Sequence, residues 1–129
     1  TVSDKVGRYK TIVLMFIASA IGLFLLGSYQ TLGNTMGILG IVLVALSFGG
    51  FLGIFPGITA ETWGASNASS NYGWMFSAYG VAAIVGPMVA TNIVEKTGDY
   101  KQAFTVAIVM AVIGAILTVF YMSQQKKKA

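Results

Sequence analysis

No position between residues 11 and 60 is Asp, Glu, Lys or Arg, and none between residues 62 and 94 is either. A run of roughly 18 or more uncharged, apolar residues is long enough to cross a bilayer. Short polar and turn-forming stretches divide these runs. With the apolar stretch near the C-terminus, the pattern predicts four spans at about 11–29, 35–58, 69–93 and 102–122. The first, "TIVLMFIASAIGLFLLGSY", has 19 residues, which at a rise of about 1.5 Å each roughly match the hydrocarbon core. "QTLGN" reads as a short turn, and the second span is expected to end near "FPG". "AETWGASNASS" is polar and small, as a loop is. "EKTGDYK" reads as a charged turn, with Gly98 suited to ending the helix before it. The fourth span stops at "SQQKKKA". The fold class expected is all-α, a polytopic membrane protein.

Within the spans, small residues recur every four positions: Gly49, Gly53, Gly57; Ala78, Ala82, Gly86, Ala90; and Ala103, Ala107, Ala111, Ala115. Lipid tails compete with apolar side chains, so helices associate in membranes where small residues let backbones approach closely. These ridges read as packing seams. A second reading is that some, together with Pro87, let helices slide or bend.

The third span carries "NYGWMFSAYGVAAIVGP". At 100° per residue, Tyr72, Phe76 and Tyr79 fall within about 60° on one face. Trp74 points nearly the opposite way, as a lipid-facing or interfacial anchor does. Pro87 has no backbone N–H, so the Ala83 carbonyl loses its usual helical partner. A freed carbonyl in a membrane needs a neighbour or a wet cavity. Bent helices of this kind surround transport pathways, and purely structural kinks look the same in sequence.

Composition narrows the chemistry. The 129 residues are 56% hydrophobic and only 9% charged, against about 25% charged in soluble domains. The mean hydropathy is +0.78. A nucleic-acid binder is excluded by that hydropathy. There is no cysteine and no histidine, which removes disulfides, thiolate chemistry, the commonest metal ligands and the usual general base. Serines and threonines lack a base to activate them. No catalytic set, metal site or cofactor is expected, and the chain does not read as an enzyme.

The acids are Asp4, Glu61, Glu95 and Asp99, all at expected span ends. Glu61 alone is flanked by long uncharged stretches. It reads either as a residue that titrates in proton coupling or as a solvated helix end. Lys5, Arg8 and Lys10 precede the first span, and Lys126, Lys127 and Lys128 follow the last. Four spans put these six on one side, against Lys96 and Lys101 on the other. Positive residues stay inside, so both termini are expected to be cytoplasmic in a multi-pass plasma (inner) membrane protein. The chain begins without methionine or a signal-peptide pattern, as a piece of a longer protein would.

Two stretches carry a resemblance. "SDKVGRYK" is similar to the cytoplasmic loop signature of the major facilitator superfamily, roughly D-[RK]-x-G-[RK]-[RK], with Tyr9 where the signature has a second basic residue. "FGGFLGIFPGITAETWGASNASSNYGWMFSAYGVAAIVGP" resembles the tenth and eleventh helices of the oxalate/formate antiporter family. The resemblance implies twelve helices in two six-helix halves with a central site and alternating access. Residues 1–129 would then be helices nine to twelve, a C-terminal fragment of the second half. Their partners would be membrane lipid and the missing helices one to eight, including the eighth, where oxalate carriers place an essential arginine.

By the same resemblance, Phe48, Leu52, Phe76 and Tyr79 become substrate-cavity residues, joined by Tyr72 from the same helix face. Oxalate carriers keep a lysine at the position of Tyr79. A lysine neutralises a carboxylate, whereas a tyrosine offers one neutral hydrogen bond, so a monocarboxylate fits better than a dicarboxylate. Asp4, Lys5, Gly7 and Arg8 would form a cytoplasmic latch, with Asp4 facing a helix N-terminus in the other half. Gly49, Gly53, Gly57, Gly86 and Pro87 would serve helix packing or bending. The function implied is secondary active exchange or symport of small carboxylates, oxalate and formate or a monocarboxylate such as pyruvate or lactate, with a proton as candidate co-substrate. A reading from another class is an autonomous four-span membrane protein with a structural or assembly role. Small multidrug exporters also have four spans but need an acid in the first helix, which is absent here.

Overall fold

The computed structural model describes residues 7–128. Four long helices run through them: α1 (Arg8–Gly27), α3 (Asn34–Trp63), α4 (Ala68–Thr97) and α5 (Lys101–Lys128), with one short helical turn, α2 (Tyr29–Leu32). Each long helix is apolar and long enough to cross a membrane. Among the described residues every positive φ belongs to a glycine, and each lies beside a helix end: Gly7, Gly33, Gly64 and Gly98.

Three of the long helices overrun the expected spans, whereas α1 starts earlier than expected and ends at Gly27. The chain does not leave the helix at "FPG": α3 continues through Pro56 to Trp63. Proline removes one N–H from the ladder, but the helix stops only where Gly64 turns to φ 90°. The expected loop over "AETWGASNASS" therefore shrinks to residues 64–67. Likewise "QTLGN" is partly helical, α2 taking up its first residues. At the end of α4, Gly98 adopts the left-handed conformation and its N–H bonds the Val94 carbonyl, a C-terminal stop that only glycine takes without steric strain.

The connections return the chain so that both ends of the described segment meet at one end of the bundle. There the Tyr9 hydroxyl, at the start of α1, lies 3.2 Å from Thr62 Oγ1 near the end of α3. The Tyr9 ring stands 5.5 Å from that of Tyr121 in the last part of α5. At the opposite end, Gly27, Tyr29, Gln30 and Thr31 share a pocket with Gly98, Asp99, Tyr100 and Lys101.

α1 packs between α3 and α5. Its crossing with α3 is made by two glycines. A Cβ on Gly40 would lie 2.7 Å from the Gly22 carbonyl oxygen, and one on Gly22 would lie 2.9 Å from that of Gly40. Gly50 similarly admits Met15, and Gly114 of α5 admits the Phe16 ring. Ile12, Ile54 and Ile58 form the buried apolar cluster, with Tyr9, Phe16, Phe51 and Phe55 against it. On α5 the alanine ridge turns inward: Ala111 is buried, and Ala103, Ala107 and Ala115 are half-buried. The other two ridges behave differently. Gly57 abuts the Arg8 guanidinium, but open space lies beside Gly49, Gly53 and Gly86. α4 has no buried residue at all, and it presents Ala78 and Ala82 as an exposed face.

Buried hydroxyls are satisfied inside their own helices. Ser47 Oγ donates to the Leu43 carbonyl and Thr59 Oγ1 to that of Phe55, each at 2.8 Å. Back-bonding of this kind lets a polar side chain sit where no water reaches.

Candidate functional site

Where α4 leans on α3, the two helices leave an open groove of about 550 Å³. α3 supplies Phe48, Phe51, Leu52 and Phe55, spaced three and four apart so that they share a face. α4 supplies Tyr72, Met75, Phe76 and Tyr79 on the same spacing, and Phe16 of α1 closes the back. All five residues expected to line a cavity, Phe48, Leu52, Tyr72, Phe76 and Tyr79, are thus brought to one surface. Trp74, 80% exposed, lies outside it.

The rings form a continuous strip. Centroids are 5.5 Å apart for Tyr72–Phe76, 5.0 Å for Phe76–Tyr79 and 5.9 Å for Tyr79–Phe48, all tilted. Phe16, Phe51 and Phe55 continue it behind, at 4.8 and 5.7 Å. Tilted pairs suit the ring quadrupole, whose edge is positive and whose face is negative. None of the described residues lining the groove is charged, and its side-chain hydroxyls are those of Tyr72 and Tyr79. Chemically, the surface offers aromatic rings and two neutral hydroxyls, with no formal charge among its described lining residues.

One buried contact fixes the back of the groove. Thr59, wholly buried, has its Oγ1 3.0 Å from Met75 Sδ, so α3 grips α4 directly behind the aromatic strip. Sequence reasoning missed Phe16, Phe51, Phe55 and Met75. The first three-four spacing in "FGGFLGIF" could have shown Phe51 and Phe55, since they share the face of Phe48. Nothing local marks Phe16 or Met75, whose place depends on how the helices rotate against each other.

Of the latch residues, Asp4 and Lys5 lie outside the described residues. Gly7 precedes α1 with φ 95°, and Arg8 is the first residue of that helix. Arg8 Nη2 stands 3.2 Å from Glu61 Oε1 in the last turn of α3. Glu61 is therefore an ion-paired helix-end residue at the end of the bundle where the termini meet. With its side chain 58% exposed, the pair contributes about 0.2–1 kcal/mol at most.

Matched against known families, residues 1–129 fit the Major Facilitator Superfamily over their whole length. The chain belongs to the major facilitator superfamily. It is accordingly a multi-pass, all-helical membrane chain, and its relatives are transporters rather than enzymes. It is 29% identical to the oxalate:formate antiporter of Oxalobacter formigenes over 119 residues, 92% of this chain and 28% of that protein. It is 30% identical to an uncharacterized MFS-type transporter of Escherichia coli (strain K12) over 82 residues, 64% of this chain and 20% of the relative. Over 56 residues, 43% of the chain, it is 38% identical to 12% of monocarboxylate transporter 12 of Xenopus laevis. This major facilitator chain thus spans less than a third of the length of each of these relatives. No solved structure matches it significantly.

Proposed function

We propose that this chain is helices nine to twelve of a secondary active transporter for small carboxylates, and that its α3–α4 groove is one wall of the substrate passage. The observation that carries the reading is the convergence of Phe48, Leu52, Tyr72, Phe76 and Tyr79 on a single uncharged aromatic surface. Relatives named for oxalate and formate exchange and for monocarboxylate transport support the substrate class. The other wall, and the cation that pairs with the substrate, would come from helices one to eight.

The groove favours one carboxylate over two. Tyr72 and Tyr79 donate neutral hydrogen bonds, which stabilise a charge less than a paired ammonium does. A second carboxylate against this wall would be desolvated with no counter-charge from it, and a buried unpaired charge is strongly unfavourable. The substrate is thus a monocarboxylate. Arg8 and Lys10 open α1, and α5, whose sequence ends in three lysines, finishes at the same end of the bundle, where Glu61 pairs with Arg8. The positive-inside rule makes that end cytoplasmic.

The test is counterflow with the full-length protein in proteoliposomes. Lactate or formate loaded inside should accelerate uptake of the labelled monocarboxylate at least several-fold over empty vesicles, with oxalate less effective. Absence of any carboxylate-dependent flux would sink the reading.

A further inference from the structure

A second cavity, of about 340 Å³, adjoins the α3–α4 groove between α1, α3 and α5, toward the end of the bundle where the termini meet. Ile12, Ile58 and Leu117 give it an apolar lining. The groove and this cavity share three residues, Phe16, Phe55 and Met75. Those side chains are therefore the partition between the two spaces. Each is half-buried, whereas Leu52, Phe76 and Tyr79 on the groove side are exposed.

The three are held in place by different means. Phe16 is fixed on two sides: its ring lies 4.8 Å from that of Phe51, and it sits so close to Gly114 of α5 that a Cβ there would come within 2.6 Å of it. Phe55 stacks on Phe51 at 5.7 Å, with 13° between the planes. Met75 is an unbranched side chain with a polarizable sulfur, a type that fills gaps and re-packs readily. A single hydroxyl positions it. Thr59 Oγ1 lies 2.8 Å from the Phe55 carbonyl oxygen and 3.0 Å from Met75 Sδ, and Thr59 is wholly buried. Met75 also stands about one turn from both groove hydroxyls, three residues after Tyr72 and four before Tyr79.

We propose that Met75 determines specificity: it closes the back of the groove and limits the length of apolar body that a transported monocarboxylate can carry. This rests on the reading of the groove as a wall of the passage. A body that ends in front of Met75 fits, and a longer one meets a side chain that the Thr59 hydroxyl holds in place. Behind that side chain lies the apolar cavity. It would receive further methylenes once the partition is cut back, and burying each of them is favourable. Thr59 is a positioning residue, acting on the substrate only through Met75.

The experiment uses the full-length protein in proteoliposomes and measures how well lactate and its longer homologue 2-hydroxyhexanoate compete with labelled lactate for uptake. The wild type should favour lactate. Met75→Ala, which joins the two spaces, should shift the ratio of inhibition constants toward the longer acid by about tenfold or more. Thr59→Val keeps the shape of the side chain but frees the sulfur, and should shift the ratio the same way by roughly two- to fivefold. Thr59→Ser should restore the wild-type ratio. A general loss of packing would lower uptake without moving the ratio. If Met75→Ala transports nothing, Thr59→Val decides. Lactate uptake with an unchanged ratio, or a wild type that takes both acids equally, overturns the partition and leaves the groove assignment standing. A wild type that carries no monocarboxylate overturns both.

Discussion

Replacing Tyr79 with lysine in the full-length protein is expected to move substrate preference toward oxalate by one to two orders of magnitude. Tyr79 sits mid-groove on α4, 45% exposed, with its ring against Phe76 and Phe48. It therefore faces the space a substrate would occupy. Two unit charges about 4 Å apart interact by roughly 4 kcal/mol at an effective dielectric of about 20. Desolvating the ammonium cancels part of that gain. A net 1.4–3 kcal/mol corresponds to about a ten- to hundredfold change in relative affinity. Competition of oxalate against formate and lactate for uptake measures it directly. An unchanged order of preference would show that position 79 does not discriminate.

The largest expected effect on stability lies far from the groove, at the α1–α3 crossing. Gly40→Ala should destabilise the protein by about 1–3 kcal/mol, a typical overpacking penalty. Helix propensity alone points the other way, because alanine favours a helix over glycine by roughly 1 kcal/mol. Packing wins because the added Cβ would meet a backbone carbonyl, that of Gly22 at 2.7 Å, and backbone cannot rotate away. Gly50→Ala is the control. Its new Cβ would also stand 2.7 Å from a neighbour, but that neighbour is the Met15 sulfur, part of a flexible side chain that re-packs readily. Thermal unfolding in detergent should show a clear drop for Gly40→Ala and a much smaller one for Gly50→Ala. Equal shifts would mean the crossing is looser than the structure describes.

The contrast between these glycines shows how far sequence reasoning reaches. The existence of four spans is legible because long uncharged runs have no other stable home. The Tyr72–Phe76–Tyr79 face is legible too, since a rotation of 100° per residue requires no knowledge of any neighbour. Helix ends were misread where a breaker residue suggested a stop. Pro56 costs α3 one backbone bond but does not end it; Gly64, with positive φ, does. Ridges of small residues name seams without naming partners. The alanines of α5 face inward, while Gly49, Gly53 and Gly86 border open space in this chain. Gly22 and Gly40 meet across α1 and α3 although neither belongs to an expected ridge, because a crossing depends on the rotation of both helices. Thr59 gripping Met75, and Phe16 closing the groove, are tertiary facts of the same kind.

If the groove is a wall of the passage, the exposed face of α4 is where the missing helices would pack. α4 carries Pro87 inside a continuous helix and buries no residue of its own. Its ties to α3 are few: the Thr59–Met75 contact, the Phe48–Tyr79 ring pair, and Asn71 Nδ2 donating to the Trp63 carbonyl at 3.5 Å.

The most direct measurement of the central claim is substrate protection of engineered thiols. This chain contains no cysteine, so Tyr79→Cys and Trp74→Cys can be made singly in a full-length background without other thiols and labelled with a hydrophilic maleimide. A transported monocarboxylate at saturating concentration should slow labelling of the Tyr79→Cys variant several-fold and leave the Trp74→Cys variant unaffected. Labelling at position 79 that ignores the substrate, or protection equal at both positions, would contradict the assignment of this groove to the passage.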